Sequence, residues 1–444
     1  MRLHCEYAWL GGESAFRNVR ITIDGGVIVG VDAEVESTAQ DTVISGLVMP
    51  GLVNSHSHAF HRALRGRTHA GSGDFWSWRN PMYALAQRLD PDNYRELSAA
   101  VYGEMVLAGI TGVGEFHYVH HQTDGTPYAQ KNAMGYALVD GAALAGIRLA
   151  MLDTAYLHAG LDKPELLPEQ RRFSDGSIAK WLERVNELSG GDNWTVGLAP
   201  HSVRAVHPDE LRDVAAGRGS RVVHLHVSEQ PAENEVCLRM TGRTPTEVLN
   251  DVGLLGPHFT AVHATHLTDR DISLLGSTKS NICMCPTTER DLADGIGPAS
   301  RLAGGGCSLC LGSDSHAVID LFEEARAVEH DERLITGQRG IHTPASLLAA
   351  ATCGGERSLG WNPVAGVGVR VGARADLIAL DLHTVRLAGF EAKSAAAHVV
   401  HAAAPADVRD VWMGGKQVVR SREHVVLGDV ASRLRSAIAL LGTL

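Results

Sequence analysis

The segment Leu52-Val53-Asn54-Ser55-His56-Ser57-His58 decides the fold class of this 444-residue chain. The apolar residues from Val48 onward are typical of a buried strand, and the strand ends in a His-x-His pair. Because side chains alternate along a strand, His56 and His58 lie on the same face, about 7 Å apart. Two neutral imidazoles that face one point are suitable metal ligands. The pair alone is weak evidence, so the prediction depends on whether the later strands also end in polar residues.

Apolar, β-rich runs bounded by turn residues recur between residues 47 and 314. They are Leu47–His58, Gly112–His120, Arg148–Tyr156, Trp194–His201, Arg221–Glu229, Phe259–His266, Ser280–Pro286 and Cys307–Asp314. Helix-type spacing fills most of the gaps, as in Asn93–Ala108, Tyr128–Ala145, Ser177–Leu188, Pro208–Ala216 and Thr244–Val252. Eight alternations of strand and helix predict an α/β fold, a closed (β/α)8 barrel of the TIM type.

Polar residues lie at the C-terminal end of each of these runs. They are His56, His58, Glu115, His117, Tyr118, Asp153, Tyr156, His201, Arg204, His226, Glu229, His263, His266, Thr287, Glu289, Asp314 and His316. In a (β/α)8 barrel the C-terminal strand ends and the loops after them form one rim, which is where active sites of this fold lie. The pattern therefore predicts an active site built at that rim.

The two ends of the chain differ from the middle. Residues 1–47 and 367–427 contain short alternating strands with glycine turns. We expect them to pair into one small β-sandwich domain, because chain termini often lie close together. The predicted division is 1–47 for the first part of that domain, 48–366 for the barrel, and 367–444 for the second part, with a terminal helix at Ala431–Leu441.

Composition excludes several classes of partner. The chain has 40 basic and 51 acidic residues, a net charge of −11, and no basic cluster, so we expect no nucleic-acid partner. No run approaches the ~18 apolar residues of a membrane span, and the N-terminus has no apolar signal segment. We therefore expect a cytoplasmic protein with no membrane partner. Two cysteine pairs, Cys283 with Cys285 and Cys307 with Cys310, are better explained as buried thiols than as metal ligands or disulfides.

Four strand-end residues make a plausible metal site. His56 and His58 from the first strand, His226 from the fifth and Asp314 from the eighth form an N3O set that suits Zn²⁺. Such an ion lowers the pKa of water toward ~7, and Asp314 is placed to accept the proton released during attack. The segment of the fourth strand, Thr195 to His201, has no lysine that could bridge two ions, so one divalent ion is predicted.

Two further residues could move protons or stabilise charge. Glu229 comes three residues after His226, and its carboxylate could carry a proton to a leaving nitrogen, although a solvated loop acid is the alternative. His263 could bind the metal or polarise the electrophile beside it, and we favour the second role. His266 is more simply a structural histidine.

The chain resembles the amidohydrolase superfamily in His56-Ser57-His58, His226, His263 and Asp314, each at a strand end and framed by β-rich flanks. Within it, the chain resembles the deiminases of N-formimino-L-glutamate. The stretches that carry this closer resemblance are His58–Ala63, Phe75–Tyr83, Gly114–His121, Ala199–Val206, His224–Gln230 and Cys285–Glu289.

The resemblance implies that water attacks the formimino carbon, ammonia leaves and N-formyl-L-glutamate remains, a step of histidine degradation. It implies that Arg79 and Arg204 bind the two carboxylates of a dianionic substrate, as the planar guanidinium allows. Tyr118 and His201 would add hydrogen bonds, and His61 stands where many members of the family have glutamine. The resemblance also implies a homodimer.

Two alternatives remain open. The first is a metal-dependent deaminase of a purine, pyrimidine or triazine, since Phe75, Trp76 and Trp78 could stack on a flat ring. The second is a barrel that kept the fold and lost catalysis, because fold alone does not imply activity.

The glycine-containing loop of residues 66–90 is long enough to act as a lid over the site.

Overall fold

The computed structural model of the protein describes residues 1–68, 75–361 and 363–442, with the backbone alone for residues 75–77. The predicted stacking side chains of Phe75 and Trp76, and residues 69–74 of the predicted lid, therefore lie outside the described residues.

The described residues form sixteen strands. They are β1 (Arg2–Ala8), β2 (Phe16–Asp24), β3 (Val27–Asp32), β4 (Thr42–Pro50), β5 (Leu52–Ser57), β6 (Ile110–His117), β7 (Arg148–Ala155), β8 (Trp194–Pro200), β9 (Val223–Val227), β10 (Phe259–His263), β11 (Asn281–Met284), β12 (Ser308–Leu311), β13 (Leu377–Leu380), β14 (Val408–Met413), β15 (Lys416–Arg420) and β16 (Glu423–His424).

The same residues form fifteen α-helices. They are α1 (Phe75–Ala86), α2 (Pro91–Leu107), α3 (Ala133–Ala145), α4 (Ile178–Val185), α5 (Pro208–Gly217), α6 (Pro231–Thr241), α7 (Pro245–Asp251), α8 (Asp269–Ser277), α9 (Pro286–Asp291), α10 (Ala299–Gly305), α11 (Leu321–Thr336), α12 (Pro344–Ala349), α13 (Gly355–Ser358), α14 (Ala395–Ala402) and α15 (Val430–Leu440). Short 3₁₀ segments lie at Ala59–Leu64, Pro168–Phe173, Ala392–Ser394 and Pro405–Asp407, and a π-helical turn lies at Ala350–Gly354.

Strands β5 to β12 close into a parallel barrel, which confirms the predicted (β/α)8 fold. Every residue of β5, β6, β9, β10 and β11 is buried, as expected for parallel strands that helices cover on the outside. Closure brings β12 against β5, and an isolated bridge pairs Ser57 with Asp314. This places the ends of the first and eighth barrel strands side by side.

The termini form one eight-stranded sheet in the order β16-β15-β14-β13-β4-β1-β2-β3, in which only the β1–β4 pair is parallel. The predicted β domain built from both ends of the chain is thus confirmed. One face of the sheet has its own apolar core, which includes Leu3, Ile21, Leu377 and Trp412. The predicted terminal helix is α15, and it contacts α2 on the barrel.

The run Leu47–His58, predicted as one barrel strand, is two strands. Its first part ends β4, where Pro50 pairs with Leu377 of the terminal sheet, and the barrel strand β5 begins at Leu52. The single residue between them, Gly51, donates its N–H to Asp376 O, whereas Leu52 donates to Gly109 O in the barrel. A Cβ at residue 51 would lie 2.1 Å from Thr111 Oγ1, so glycine is needed where the two sheets meet.

Among the described residues no helix is long and apolar enough to cross a membrane.

Candidate metal centre and active site

Four buried side chains converge at the C-terminal ends of the barrel strands. His56, His226, His263 and Asp314 each offer one ligand atom, and these atoms all lie within 4.8 Å of one another. His56 Nε2 is 3.2 Å from Asp314 Oδ1, and His263 Nε2 is 3.6 Å from Asp314 Oδ2. The histidines lie on β5, β9 and β10, and Asp314 comes after β12, so four separate strands build the cluster.

His58 lies next to this cluster. Its Nε2 is 3.3 Å from Asp314 Oδ1, and its Nδ1 is 3.0 Å from the carbonyl oxygen of Phe116. A carbonyl can only accept, so Nδ1 carries the proton and Nε2 presents a lone pair to the cluster. The structure therefore brings all four predicted ligands together, and it places His263 among them as well.

The donor atoms of the cluster fit a divalent cation. His226 donates its Nδ1–H to His201 O at 3.0 Å, so its Nε2 is a lone-pair nitrogen, and that atom lies 3.1 Å from His56 Nε2. His263 Nε2 is buried without a hydrogen-bond partner. Three imidazoles and one carboxylate that share a dry centre are the set that Zn²⁺ and related ions prefer.

The protonation states separate His56 and Asp314, which are ready to bind a metal, from His263, which is not. Burial lowers the pKa of His56 to about 3, so its ring is neutral and available as a ligand. Burial would raise the pKa of Asp314, but the close contacts with His56 and His58 bring it well below its usual value. Burial also opposes a charge on His263, yet Glu229 and Glu289 raise its pKa well above the usual value.

A buried polar network supports the strand that carries His56 and His58. The Glu115 carboxylate accepts a hydrogen bond from Ser57 Oγ at 2.8 Å and another from the Ala59 N–H at 2.7 Å. Ser57 lies between the two histidines in sequence and Ala59 comes directly after them, so Glu115 on β6 fixes the end of β5. Partners behind metal ligands of this kind orient the ligands.

A cavity of about 680 Å³ opens directly above the cluster. Its lining contains all five residues predicted to bind substrate, namely His61, Arg79, Tyr118, His201 and Arg204. It also contains Glu229, and it continues outward into a wider space of about 1180 Å³ that shares Arg79 and Arg204. His61 Nε2 and Tyr118 Oη are 2.8 Å apart, so residue 61 is part of the cavity's hydrogen-bond network.

Several lining residues were not singled out by the sequence, or only in part. Tyr83 and Phe173 lie in helical segments far from the strand ends, and Tyr156 was recognised only as a polar strand end. The Gln170 side chain donates to Tyr83 Oη at 2.9 Å and to Tyr156 Oη at 3.1 Å, which joins these groups into one wall. The sequence signal for them is weak, since tyrosine and phenylalanine in helices are commonly core residues.

Arg204 is held by two carboxylates. Its NH1 lies 2.7 Å from Glu233 Oε2, and its NH2 lies 3.6 Å from Glu229 Oε2. The other Glu229 oxygen is 3.7 Å from His263 Nε2, so Glu229 lies between the cluster and the arginine. Glu233 was not predicted as a site residue; it lies in the first turn of α6, whose N-cap Gln230 directly follows Glu229.

Several strand-end residues of the predicted rim, including Asp153, His117 and His266, are not part of the cavity lining. Asp153 accepts hydrogen bonds from Arg184 NH2 at 2.8 Å and from Trp181 Nε1 at 2.8 Å, and it packs with His117 and His120 in a separate buried group. These side chains point between the barrel and α4 because neighbouring residues of a strand face opposite sides. His266 has a structural contact, 2.7 Å from Asp294 O.

Comparison with known proteins gives the family. The sequence model of the amidohydrolase family matches residues 47–418. The chain belongs to the amidohydrolase family. A formimidoylglutamate deiminase of Pseudomonas aeruginosa is 34% identical over 442 residues, which cover 96% of each chain. A 5-methylthioadenosine/S-adenosylhomocysteine deaminase of Halobacterium salinarum is 28% identical and covers 95% of this chain and 92% of its own.

Solved structures share the whole architecture of this amidohydrolase. An amidohydrolase from Brucella melitensis superimposes with a TM-score of 0.91 at 32% identity, covering 100% of both chains. An adenosine deaminase from Xanthomonas campestris with bound zinc has a TM-score of 0.85 at 23% identity, covering 99% of this chain and 97% of its own. This amidohydrolase is therefore a metal-dependent hydrolase that acts on C–N bonds, with deaminase activity.

Proposed function

We propose that this amidohydrolase hydrolyses N-formimino-L-glutamate to N-formyl-L-glutamate and ammonia with one divalent ion, Zn²⁺ being the ion that the donor set favours. The observation that carries the proposal is that one cavity is lined both by the ligands His58, His226 and Asp314 and by the two arginines Arg79 and Arg204. A linear substrate with two carboxylates needs two such cations at one end and an attacking water at the other. The relative from Pseudomonas aeruginosa supports the same substrate.

His56, His58, His226 and Asp314 would hold the ion, which would supply a lowered water pKa and a polarised electrophile. Asp314, kept ionised by its histidine neighbours, accepts the proton from the attacking water. His263, charged beside Glu229 and Glu289, donates a hydrogen bond to the tetrahedral carbon's new oxygen. Glu229, between His263 and Arg204, relays the proton released by the attacking water from Asp314 to the departing nitrogen.

Substrate binding falls to the outer half of the cavity. Glu233 already orients Arg204, so the guanidinium can donate hydrogen bonds to a substrate carboxylate with little further loss of side-chain freedom. Arg79 NH2 lies 3.3 Å from Tyr156 Oη, a contact that orients its guanidinium in the cavity wall. Tyr118, His61 and His201 complete the polar lining between the arginines and the cluster.

A second candidate function is deamination of a heterocyclic amine. Trp78, Tyr118, Tyr156 and Phe173 give the cavity aromatic surfaces that could stack on a flat ring. The relative from Halobacterium salinarum carries a nucleoside deaminase name. The arginine pair favours the dianion. A bound ligand removes water from both guanidinium groups, and a neutral base has no negative charge to offset that cost.

The test compares kcat/KM for N-formimino-L-glutamate with kcat/KM for 5-methylthioadenosine, adenosine and guanine. We expect ammonia from the first compound and almost none from the ring compounds. Efficient turnover of a ring compound with none of the formimino compound would replace the proposal with the second candidate.

The role of Arg204 is tested with two truncated substrates. N-Formimino-4-aminobutyrate lacks the α-carboxylate, and N-formimino-2-aminobutyrate lacks the γ-carboxylate. Arg204→Ala should lose about 2–5 kcal/mol in kcat/KM with the full substrate and almost nothing with the analogue that lacks the carboxylate bound by Arg204. Arg212→Ala, an exposed arginine on α5, is the control and should match the wild type. Equal losses on all three substrates would contradict carboxylate binding by Arg204.

A further inference from the structure

A second group of metal-ligating side chains lies at the mouth of the cavity, and it shares no residue with the cluster. His158, His207 and Glu210 each offer one ligand atom, and these atoms lie within 4.8 Å of one another. His158 is in the loop after β7, His207 immediately precedes α5, and Glu210 is in the first turn of α5. All three are half-buried, so the group is open to ions from solvent.

Backbone contacts orient the two imidazoles. His158 Nδ1 lies 2.8 Å from the carbonyl oxygen of Pro164, so this nitrogen donates and Nε2 is turned to Glu210. That Nε2 is 2.9 Å from each carboxylate oxygen of Glu210. His207 Nε2 is 3.3 Å from Gly160 O, which leaves its Nδ1 as the nitrogen available to a ligand.

The rings of His158 and His207 stack, with centroids 3.8 Å apart and planes at 16°, so one ring has to turn about its Cβ–Cγ bond for both nitrogens to bind the same ion. Two loops that approach each other from neighbouring barrel strands thus present two nitrogens and a carboxylate to one small volume. Two histidines and one glutamate are a three-ligand set for zinc, with the remaining position left to water.

We propose that His158, His207 and Glu210 form a second divalent metal site, suited to Zn²⁺ or a similar ion, at the mouth of the active-site cavity. The proton that His158 Nε2 shares with Glu210 is replaced when the ion binds, and it leaves to solvent. The site is separate from the catalytic centre and does not depend on the substrate proposed above.

Its position gives it a consequence for substrate access. The residues directly after His158, from Ala159 to Lys163, line the outer part of the cavity. His207 comes three residues after Arg204, which lines both the inner and the outer part. An ion at this site ties one wall of the mouth to the segment that carries Arg204, so its occupancy should change KM more than kcat.

The first measurement is the zinc content per chain after dialysis against Zn²⁺ buffered in the micromolar range. The wild type should hold two ions, and both Glu210→Gln and His207→Ala should hold one. Asp209→Asn, which changes a neighbouring exposed acid on the same helical turn, is the control and should hold two. Circular dichroism and melting curves confirm that each variant is folded.

The second measurement assigns the remaining ion. A His56→Ala, Asp314→Asn double variant should still hold one Zn²⁺, and adding His207→Ala should remove it. When Co²⁺ is bound to the His56→Ala, Asp314→Asn protein in place of Zn²⁺, it should show the visible absorption of a low-coordinate site with nitrogen and oxygen ligands. Adding Glu210→Gln to that protein should abolish this absorption. A wild type that holds a single ion under these conditions, or a His207→Ala variant that still holds two, would overturn the proposal.

Discussion

Asp314 has the most constrained position of the predicted site residues. Its backbone has a φ of 41°, in the left-handed region that non-glycine residues rarely adopt, and His263 next to it has a φ of 68°. Such strain is kept only where surrounding contacts enforce it, and here His56 Nε2 and His58 Nε2 lie 3.2 Å and 3.3 Å from the carboxylate. The backbone thus delivers both oxygens of Asp314 to the cluster.

Asp314→Asn should abolish proton acceptance and leave the shape of the side chain almost unchanged. We expect kcat/KM for N-formimino-L-glutamate to fall by about 10²–10⁴-fold. Metal content measured on the same sample separates this effect from loss of the ion. Nearly full activity at normal metal content would contradict the role assigned to Asp314.

His120 gives a prediction for stability against pH. Burial, and secondarily the charge of Arg184, lowers the pKa of His120 to about 4, and its Nε2 lies 2.8 Å from Thr154 O. The unfolded chain binds a proton at this residue near the ordinary pKa of about 6.5, whereas the folded chain does not. The stabilisation by neutral His120 is therefore complete above pH 6.5 and is lost as pH falls toward 4.

Between those two pH values the wild type should lose up to about 3 kcal/mol more unfolding free energy than His120→Gln does. Urea unfolding of both proteins at pH 7, 6 and 5 measures the difference. Parallel curves for the two proteins would show that His120 does not titrate in this way.

At the residue scale, the sequence predicted the ligand set because those residues come at the ends of barrel strands, and parallel closure forces all strand ends to one rim. The substrate residues were predicted from the family resemblance, and one of them, Arg79, lies on α1. The sequence could not predict Glu233 or Phe173, which reach the cavity from helical segments whose orientation depends on tertiary packing. It favoured polarisation of the electrophile over metal binding as the role of His263, and the structure places that ring against Asp314 and Glu229. Asp153 was predicted to lie on the rim, but alternation along β7 turns its side chain away from the cavity and toward Arg184.

At the scale of elements, α8 and α10 approach closely at a glycine. A Cβ added to Gly276 on α8 would lie 2.2 Å from the carbonyl oxygen of Gly305 on α10. Backbone cannot yield as a flexible side chain can, so the two helices would have to move apart. Glycine at position 276 is thus a packing requirement between neighbouring barrel helices.

Gly276→Ala should destabilise the protein by about 1–3 kcal/mol, the usual cost of overpacking. Gly304→Ala on α10 is the matched control, because its Cβ would meet nothing within 4 Å. That control should be neutral or gain about 0.5–1 kcal/mol from helix propensity. Chemical unfolding of both variants gives the comparison, and equal stability would contradict the packing argument.

The repeat of strands and helices was predictable because buried parallel strands are continuous apolar runs separated by amphipathic segments. The division of Leu47–His58 at Gly51 was not, since the apolar run continues across Gly51 to Val53 and only the pairing partners change there. The pairing of β4 with β13 joins residues more than 300 positions apart, and a local pattern contains no information on such a register. The observed helix ends also differ by a few residues from the predicted ones, because a local pattern does not contain the tertiary contacts around them.

At the scale of the whole molecule, the candidate ligands join distant parts of the chain. His56 is on the first barrel strand, and Asp314 comes after the eighth. An ion that binds only the folded state stabilises it by mass action, by about 4 kcal/mol at a thousand times its dissociation constant.

Removal of the metal with a chelator should therefore lower the melting temperature, and added Zn²⁺ should restore it. The double variant His56→Ala, His226→Ala lacks the cluster. A chelator should lower its melting temperature only by the amount that loss of an ion from the His158, His207 and Glu210 site would cause. An unchanged melting temperature in fully stripped wild type would mean that the cluster holds no stabilising ion.

The most direct test of the central claim is ammonia release from N-formimino-L-glutamate by the zinc-loaded protein, with the carbon product identified by NMR. We predict one ammonia per substrate consumed, N-formyl-L-glutamate as the product, and loss of both when the metal is removed. Absence of turnover by folded, fully metallated protein would leave the barrel and its metal centre in place and contradict the proposed substrate.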